Sequence, residues 1–451
     1  MSENQTEKNT NSIIVPGTNL AAKLAWLQTN AQINGSYTIE VNTDESISTK
    51  YQSLSYDGKN NITINLRGVG SNRVISLSSE GCIFIVENGV TLVLDKNITL
   101  RGKNNNNRPL VAVSGALIMN HGSTITGNKN NDTDKPCGGV FVLKGGTFTM
   151  NGGTISENNT ASRHGGGVAV DGIFTMNDGT ISNNNAEGGA GVFVQGIFNM
   201  NGGFIFGNWA EVGGGVYVWD KATFTMFGGT ISGNTANLGG GGVTVAGTFI
   251  MKDGIISSNT VIGESPAGGG VYVLGMGHEG FFDKTGGTIT GYASDTIKGN
   301  VVKDPDETIK SNLGHAIWGA ASEDNYECKD TTAGPTDKMF YEAKEGYADG
   351  VWDKKPQLKN KQSSGGCYIA TCVYGSYDCP EVWILRRYRD SDLSASWFGR
   401  CFIQIYYAVS PKIVGLFGNK KWFSSLWKPV LNKFVCKLLQ SSIDNSPYSD
   451  M

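Results

Sequence analysis

GGVFVLKGGTFTMNGGTISEN, residues 138–158, is the first of five variants of one phrase. The others read GGVAVDGIFTMNDGTISNN, AGVFVQGIFNMNGGFIFGN, GGVYVWDKATFTMFGGTISGN and GGVTVAGTFIMKDGIISSN, and a sixth copy opens at Gly269 with GGVYVLG. The Gly-Val pairs begin at Gly139, Gly167, Gly191, Gly215, Gly242 and Gly270, giving steps of 28, 24, 24, 27 and 28 residues. A period of that size signals a stacked or radial array, in which each unit buries its apolar face against its neighbours.

Each unit holds three short apolar runs separated by Gly, Asn and Asp; in the fourth copy they are GVYV, TFTM and GTIS. The runs alternate, as strands with one buried face must, and none reaches helical length. Three such strands and three turns fill one circuit of a right-handed parallel β-helix, with rungs stacked about 4.8 Å apart. A propeller is the rival architecture, but its blades need about 40 residues and four strands.

The stacking then predicts columns of like residues. Val140, Val168, Val192, Val216, Val243 and Val271 form one. Phe148, Phe174, Phe198, Phe224 and Phe249 form a second, with Met150, Met176, Met200, Met226 and Met251 two residues on. Ile155, Ile181, Ile205, Ile231 and Ile256 form a third, each followed three residues later by Asn158, Asn184, Asn208, Asn234 or Asn259. Stacked asparagines pair amide to amide between rungs, and Asn tolerates a bent turn conformation. Length variation falls after this asparagine, which places variable loops along one edge.

Composition agrees. The chain has 451 residues, 63 of them Gly, with 17% charged residues and a formal net charge of −3. There is no three-residue Gly period of the collagen kind, and near-neutrality argues against nucleic acid as a partner.

In chain order, residues 1–17 are polar and Asn-rich, predicting disorder, and lack the basic start and apolar core of a secretory signal. Thr18 is placed to cap a helix within residues 18–36, with Leu20, Leu24 and Leu27 along one face, covering the open first rung. Less regular rungs follow from residue 37, and the β-helix is expected to span 37–300. Residues 301–353, with HAIWGA and KMFYEA, are expected to close the other end, and 354–365 (KKPQLKNKQSSG) form a linker. Residues 366–451 differ in chemistry: they hold four of the nine tryptophans, five of the eight cysteines, and ten Lys/Arg against six Asp/Glu. Asp378, Cys379 and Pro380 start a helix EVWILRRYRD. Trp397 to Val409 is a second apolar segment, and a third from Lys420 puts Trp422, Leu426, Val430, Phe434 and Leu438 on one face, with Pro429 kinking or splitting it. A small, mostly helical domain is expected there.

GGCYIATCVYGSYDCPEVWILRRYRD, with GRCFIQIYYAVSPKIVGLFG downstream and SPYSDM at the end, resembles the bacterial C-terminal module called the CFI-box domain across nearly all of residues 366–451. Cys367, Tyr368, Ile369, Ala370 and Thr371 correspond to its signature, with Tyr in place of the usual Phe. Arg387, Arg389, Arg400 and Pro411 fall within its LRRxRD, GR and YYxxSP features. The resemblance implies an accessory C-terminal module. The repeats, and the phrase GTNLAAKLAWLQTN, are similar to repeat proteins of host-associated spirochaetes with polymorphic outer-membrane-type β-helices. That likeness implies an adhesin-like role at the cell surface or in secretion; the opening residues are consistent with the alternative, a cytoplasmic scaffold.

Candidate sites follow from the alternation. With both valines of GVxV pointing inward, Phe141, Phe193, Tyr217 and Tyr272 point outward, and Trp219 lies two positions beyond Tyr217. Aromatics at rung spacing form a stacking platform for a glycan or a flat apolar peptide, or else shield the sheet. A carbohydrate-active enzyme is the competing reading, but it needs paired carboxylates or an acidic metal cluster on one face. Asp171, Asp178, Asp220 and Asp253 are spread among different turns, and His164, His278 and His315 are isolated, so no catalytic residue is assigned. The five C-terminal cysteines lack zinc spacing and any His beside them, which favours buried thiols; Cys367 is also placed to be a processing or attachment point. No metal or cofactor is expected. The basic residues of the C-terminal domain permit peripheral contact with anionic lipid or a partner protein, or else form a solvated face.

Overall fold

The computed structural model of the protein describes residues 12–48, 53–133, 137–161, 164–263, 268–274, 280–292, 297–309, 315–319, 328–330, 339–341, 369–370, 373, 380–393, 406, 410, 414 and 421–440. The chain divides into two compact units, residues 1–353 and 354–451.

The first unit is a parallel β-solenoid. Four sheets run along it, with twelve, eleven, ten and seven strands among the described residues. Every strand pairs in parallel with its equivalent one coil on, which excludes the radial blades of a propeller. The predicted columns are real: the valines from Val140 to Val271 are consecutive partners in the valine sheet. The phenylalanines from Phe148 through Phe249 pair in the same way and continue to Phe282, as do the isoleucines from Ile155 to Ile289. The phenylalanine rings stack with centroids 4.6–4.9 Å apart, the rung spacing itself, and nearly all of this interior is fully buried.

Asparagine pins the corner after the isoleucine sheet. The Nδ2 of Asn158, Asn184, Asn208, Asn234 and Asn259 each donates to the Oδ1 of the next asparagine, at 2.8–3.2 Å, and the row ends on Asn300. The same Oδ1 accepts the backbone N–H of the asparagine before it, as in Asn184 N to Asn208 Oδ1 at 3.0 Å. Each Nδ2 also donates to an isoleucine carbonyl one coil back, for instance Asn208 to Ile181 at 3.1 Å. These amides are 0–1% exposed, so they satisfy one another in a region that water does not reach. The bend differs from expectation. The left-handed residue is the one before each ladder asparagine: Glu157, Asn183, Gly207, Gly233 and Ser258, with φ between 54° and 66°.

After this corner lies a fourth strand where loops were expected. Asn185–Gly188, Trp209–Val212, Thr235–Gly239 and Thr260–Ile262 are successive members of the seven-stranded sheet. Three of their inward residues are small: Ala186, Ala210 and Ala236 are buried partners, followed in the column by Val261. The opposite corner, between the valine and phenylalanine sheets, needs glycine for a different reason. A Cβ on Gly196 would lie 2.2 Å from the Gly172 carbonyl oxygen of the coil before.

Both ends depart from the expected boundaries. Within the stretch expected to be disordered, Ile13–Ile14 forms a strand beside Ser36–Val41 and is the first edge of the phenylalanine sheet. Helix α1, Leu20–Asn30, is capped by Asn19, whose side chain accepts from Ala22 N at 2.8 Å, and not by Thr18. Leu20, Leu24 and Leu27 join the solenoid core, and buried Lys23 donates through Nζ to the Glu40 carbonyl. The helix therefore satisfies strand backbone at the first coil. At the far end the sheets continue past residue 300 through Val301–Lys303, Ile317–Gly319, Cys328–Asp330 and Met339–Tyr341, so HAIWGA and KMFYEA contain further rungs. The linker at 354–365 lies outside the described residues.

In the second unit, helix α2 spans Pro380–Tyr388 and runs into a π turn, Arg389–Leu393. Helix α3 spans Lys421–Gln440 without interruption at Pro429. Of the row of apolar residues read along this helix, Leu438 packs while Leu426 and Val430 do not. Phe423, Val435 and Leu438 are buried, whereas Leu426 and Val430 are 59% and 56% exposed.

Asn208→Ala is expected to lower unfolding stability by about 3 kcal/mol, since it leaves the buried Asn184 N–H and one Asn184 Nδ2 hydrogen without their acceptor and takes from Asn234 Oδ1 one of its two donors. Asn201→Ala, in an exposed row of amides, should change it by less than about 0.5 kcal/mol. Urea denaturation followed by circular dichroism distinguishes the two.

Candidate functional site

The outer side of the valine sheet was the expected platform, and the structure closes most of it. Phe193 is 1% and Tyr217 9% exposed, while Phe141, Trp219 and Tyr272 are half-buried. Phe193, Tyr217 and Trp219 pack edge-to-face or tilted on each other at centroid distances of 5.4–5.9 Å, and His164 stands perpendicular to Phe193 at 4.3 Å. The cause is the glycine segment that follows the fourth strand. It doubles back over the outer face so closely that a Cβ on Gly213 would lie 2.9 Å from the Cβ of Tyr217, and Val212, Ala246 and Leu274 pack with Phe193 and Tyr217. These aromatics form a second, outer core, and an open stacking platform is absent at this place. Trp219 sits at the corner after the strand.

Open aromatic surface lies on the isoleucine sheet instead. Its outward positions flank the buried isoleucine column, and in most coils they are hydroxyls: Thr154 and Ser156, Thr180 and Ser182, Thr230 and Ser232. The coil between the last two pairs carries Phe204 and Phe206 there, 52% and 41% exposed. Around the asparagine corner the same coil adds Trp209, 39% exposed, between Asn185 and Thr235. Three large rings thus project from one coil, with Thr180, Ser182 and Asn185 below and Thr230, Ser232 and Thr235 above. From Thr154 to Ser257 no outward position of this sheet carries a charge. One border is an exposed amide row, with Asn151, Asn177 and Asn201 each donating to the asparagine one coil back at 2.8–3.2 Å. Above that row stands Phe227, 44% exposed, with Lys252 Nζ 4.8 Å from its ring centroid. The signal was in the sequence, because FIFGNW stands where the other copies carry TIS or IIS, and no other copy has an aromatic there.

The acidic residues are not gathered. Asp178 and Asp253 each accept the N–H of the following glycine at 2.7 Å, which is a turn function. Asp171 lines a groove of about 280 Å³ with Gly145, Gly146, Gly172, Gly196, Ile173 and Ile197, and no second carboxylate shares it. Burial raises its pKa. His315 Nδ1 accepts the Val302 N–H at 2.9 Å. Among the described residues no group of three or more His, Cys, Asp and Glu is arranged to hold a metal ion. Cys82 and Cys137 are buried free thiols, and burial pushes both to about 12.

In the C-terminal unit, Ile369 and Ala370 are helical and buried, and Ile369 N donates to the Tyr406 hydroxyl at 3.0 Å. Arg389 pairs with Asp390 at 2.5 Å, and the Arg387 carbonyl accepts from Ser391 Oγ at 2.7 Å. Cys367, Tyr368, Thr371 and Arg400 lie outside the described residues, as do His278 and Pro411. The chain matches no known protein-family model, no curated protein and no solved structure.

Burial, and then the nearby Tyr272, push the Tyr217 phenol from 10.0 up to about 12. The neutral form is favoured on folding, so this stabilisation is complete below pH 10 and is lost as pH rises toward 12. Melting temperature should fall across that window, and Tyr217→Phe should blunt the fall. Thermal scans of both proteins at several alkaline pH values check this.

Proposed function

We propose that this chain is a non-catalytic interaction protein whose solenoid presents Phe204, Phe206 and Trp209 to an uncharged glycan. The observation that carries the reading is the break in the repeat: one coil exchanges hydroxyls for three exposed rings while its inward Ile205 and Asn208 keep their columns. A stability requirement does not ask for this, since Thr and Ser serve the same positions one coil away. Aromatic faces stack on the C–H face of a sugar ring, and the hydroxyls and amides bordering them match sugar hydroxyls. The absence of charge on this outer face favours a neutral sugar over an acidic one. Affinity comes from desolvating ring surface, and the neighbouring rungs fix orientation through hydrogen bonds.

The C-terminal unit is read as an anchoring or docking module, in keeping with the resemblance of residues 366–451 to the CFI-box domain. An adhesin-like role follows from combining a presenting rod with an anchor.

Neutral-glycan array binding by the full chain tests the reading. Phe204→Thr/Phe206→Ser, which restores the phrase of the neighbouring coils, should abolish binding and leave the melting temperature within a few degrees. Tyr217→Ala should destabilise the fold first. Equal glycan binding by wild type and the restored variant refutes the site, and depolymerisation of a bound polysaccharide refutes the non-catalytic reading.

A further inference from the structure

Helix α3 carries more apolar surface than the C-terminal unit covers. Phe423, Val435 and Leu438 are 2%, 5% and 6% exposed; Val435 and Leu438 pack with Ala370, Val382 and Leu385, and Phe423 with Ile369 and Val373. Adjoining them on the helix surface, Leu426, Val430 and Phe434 are 59%, 56% and 39% exposed. Their four-residue spacing sets them in a single row down the helix. Phe434 is held edge-on against Tyr388 at 5.4 Å, so its ring is presented in a fixed orientation.

Charge decides among possible occupants. The helix KWFSSLWKPVLNKFVCKLLQ contains four lysines and no acidic residue. Lys428, Lys433 and Lys437 are exposed. At about 100° per residue, Lys433 and Lys437 lie within about 60° of Val430, beside the apolar row. A second copy of this chain would bring the same cations against themselves across a two-fold axis, which opposes self-association through this face. An anionic lipid surface satisfies both features together. The apolar row enters the acyl boundary while the lysine stems follow it and keep their ammonium groups among the headgroups. No described helix is long and apolar enough to cross a membrane.

We propose that α3 is a surface-lying membrane anchor, with Leu426, Val430 and Phe434 inserted and Lys433 and Lys437 on anionic headgroups. This rests on the anchoring role assigned above to the C-terminal unit and is independent of the glycan site.

The full chain is sedimented with vesicles of phosphatidylcholine alone and with vesicles containing about a third phosphatidylglycerol. Binding is expected to the anionic vesicles, to weaken in high salt, and to fall about tenfold or more in Leu426→Ser/Val430→Ser. Lys433→Gln/Lys437→Gln should lose most of the preference for anionic over neutral vesicles. Both pairs are exposed, and unchanged circular dichroism together with retained glycan binding shows that the variants are folded. Failure of wild type to sediment with anionic vesicles, or equal sedimentation by all variants, overturns the proposal. So does light scattering that shows a dimer lost in Leu426→Ser/Val430→Ser, which would assign the face to a second copy. Glycan binding without vesicle binding rejects the anchor and leaves the solenoid site standing.

Discussion

One constraint governs the solenoid: every inward side chain has, as its nearest neighbour, the residue at the same position one coil away. Few side chains are good partners for themselves at that spacing. The asparagine amide is one, because it carries donors on one side and an acceptor on the other. The row from Asn158 to Asn300 uses both, and also bonds the backbone N–H of the asparagine before and an isoleucine carbonyl one coil back. Phenylalanine is another. Its rings stack almost parallel, within 8° of each other from Phe148 to Phe249, and that geometry follows from the backbone more than from any preference of the rings.

The constraint also separates structure from binding. Inward positions must agree from coil to coil, so a coil cannot change its interior without disturbing both neighbours. Outward positions carry no such obligation. The coil containing Phe204, Phe206 and Trp209 shows the freedom directly: Ile205 and Asn208, between them in sequence, stay in their columns while the flanking residues change character. A single coil can therefore hold a recognition patch without altering the rod that supports it.

The reading of the sequence was accurate where a residue's environment is set by its own column. It failed where a second layer intervenes. Phe193 and Tyr217 do point outward from the valine sheet, but the glycine segment after the fourth strand returns over them, and alternation along a strand carries no information about what covers it. The fourth strand was overlooked because in three successive coils its inward residue is alanine, too small to register as an apolar run. Leu426, Val430 and Phe434 share a helical face with Leu438, yet Phe423, Val435 and Leu438 are what meets the rest of the C-terminal unit.

From the sequence alone came the parallel stacking, the columns of Val, Phe, Met and Ile, the asparagine ladder and the existence of a separate helical unit, because a repeat forces equivalent residues into equivalent places. FIFGNW was equally visible as a departure from the repeat, although its meaning was not. Only the tertiary structure decided which outward aromatics meet solvent and which are sealed beneath glycine. Exposure depends on segments that approach through space, and their distance along the chain does not encode that approach.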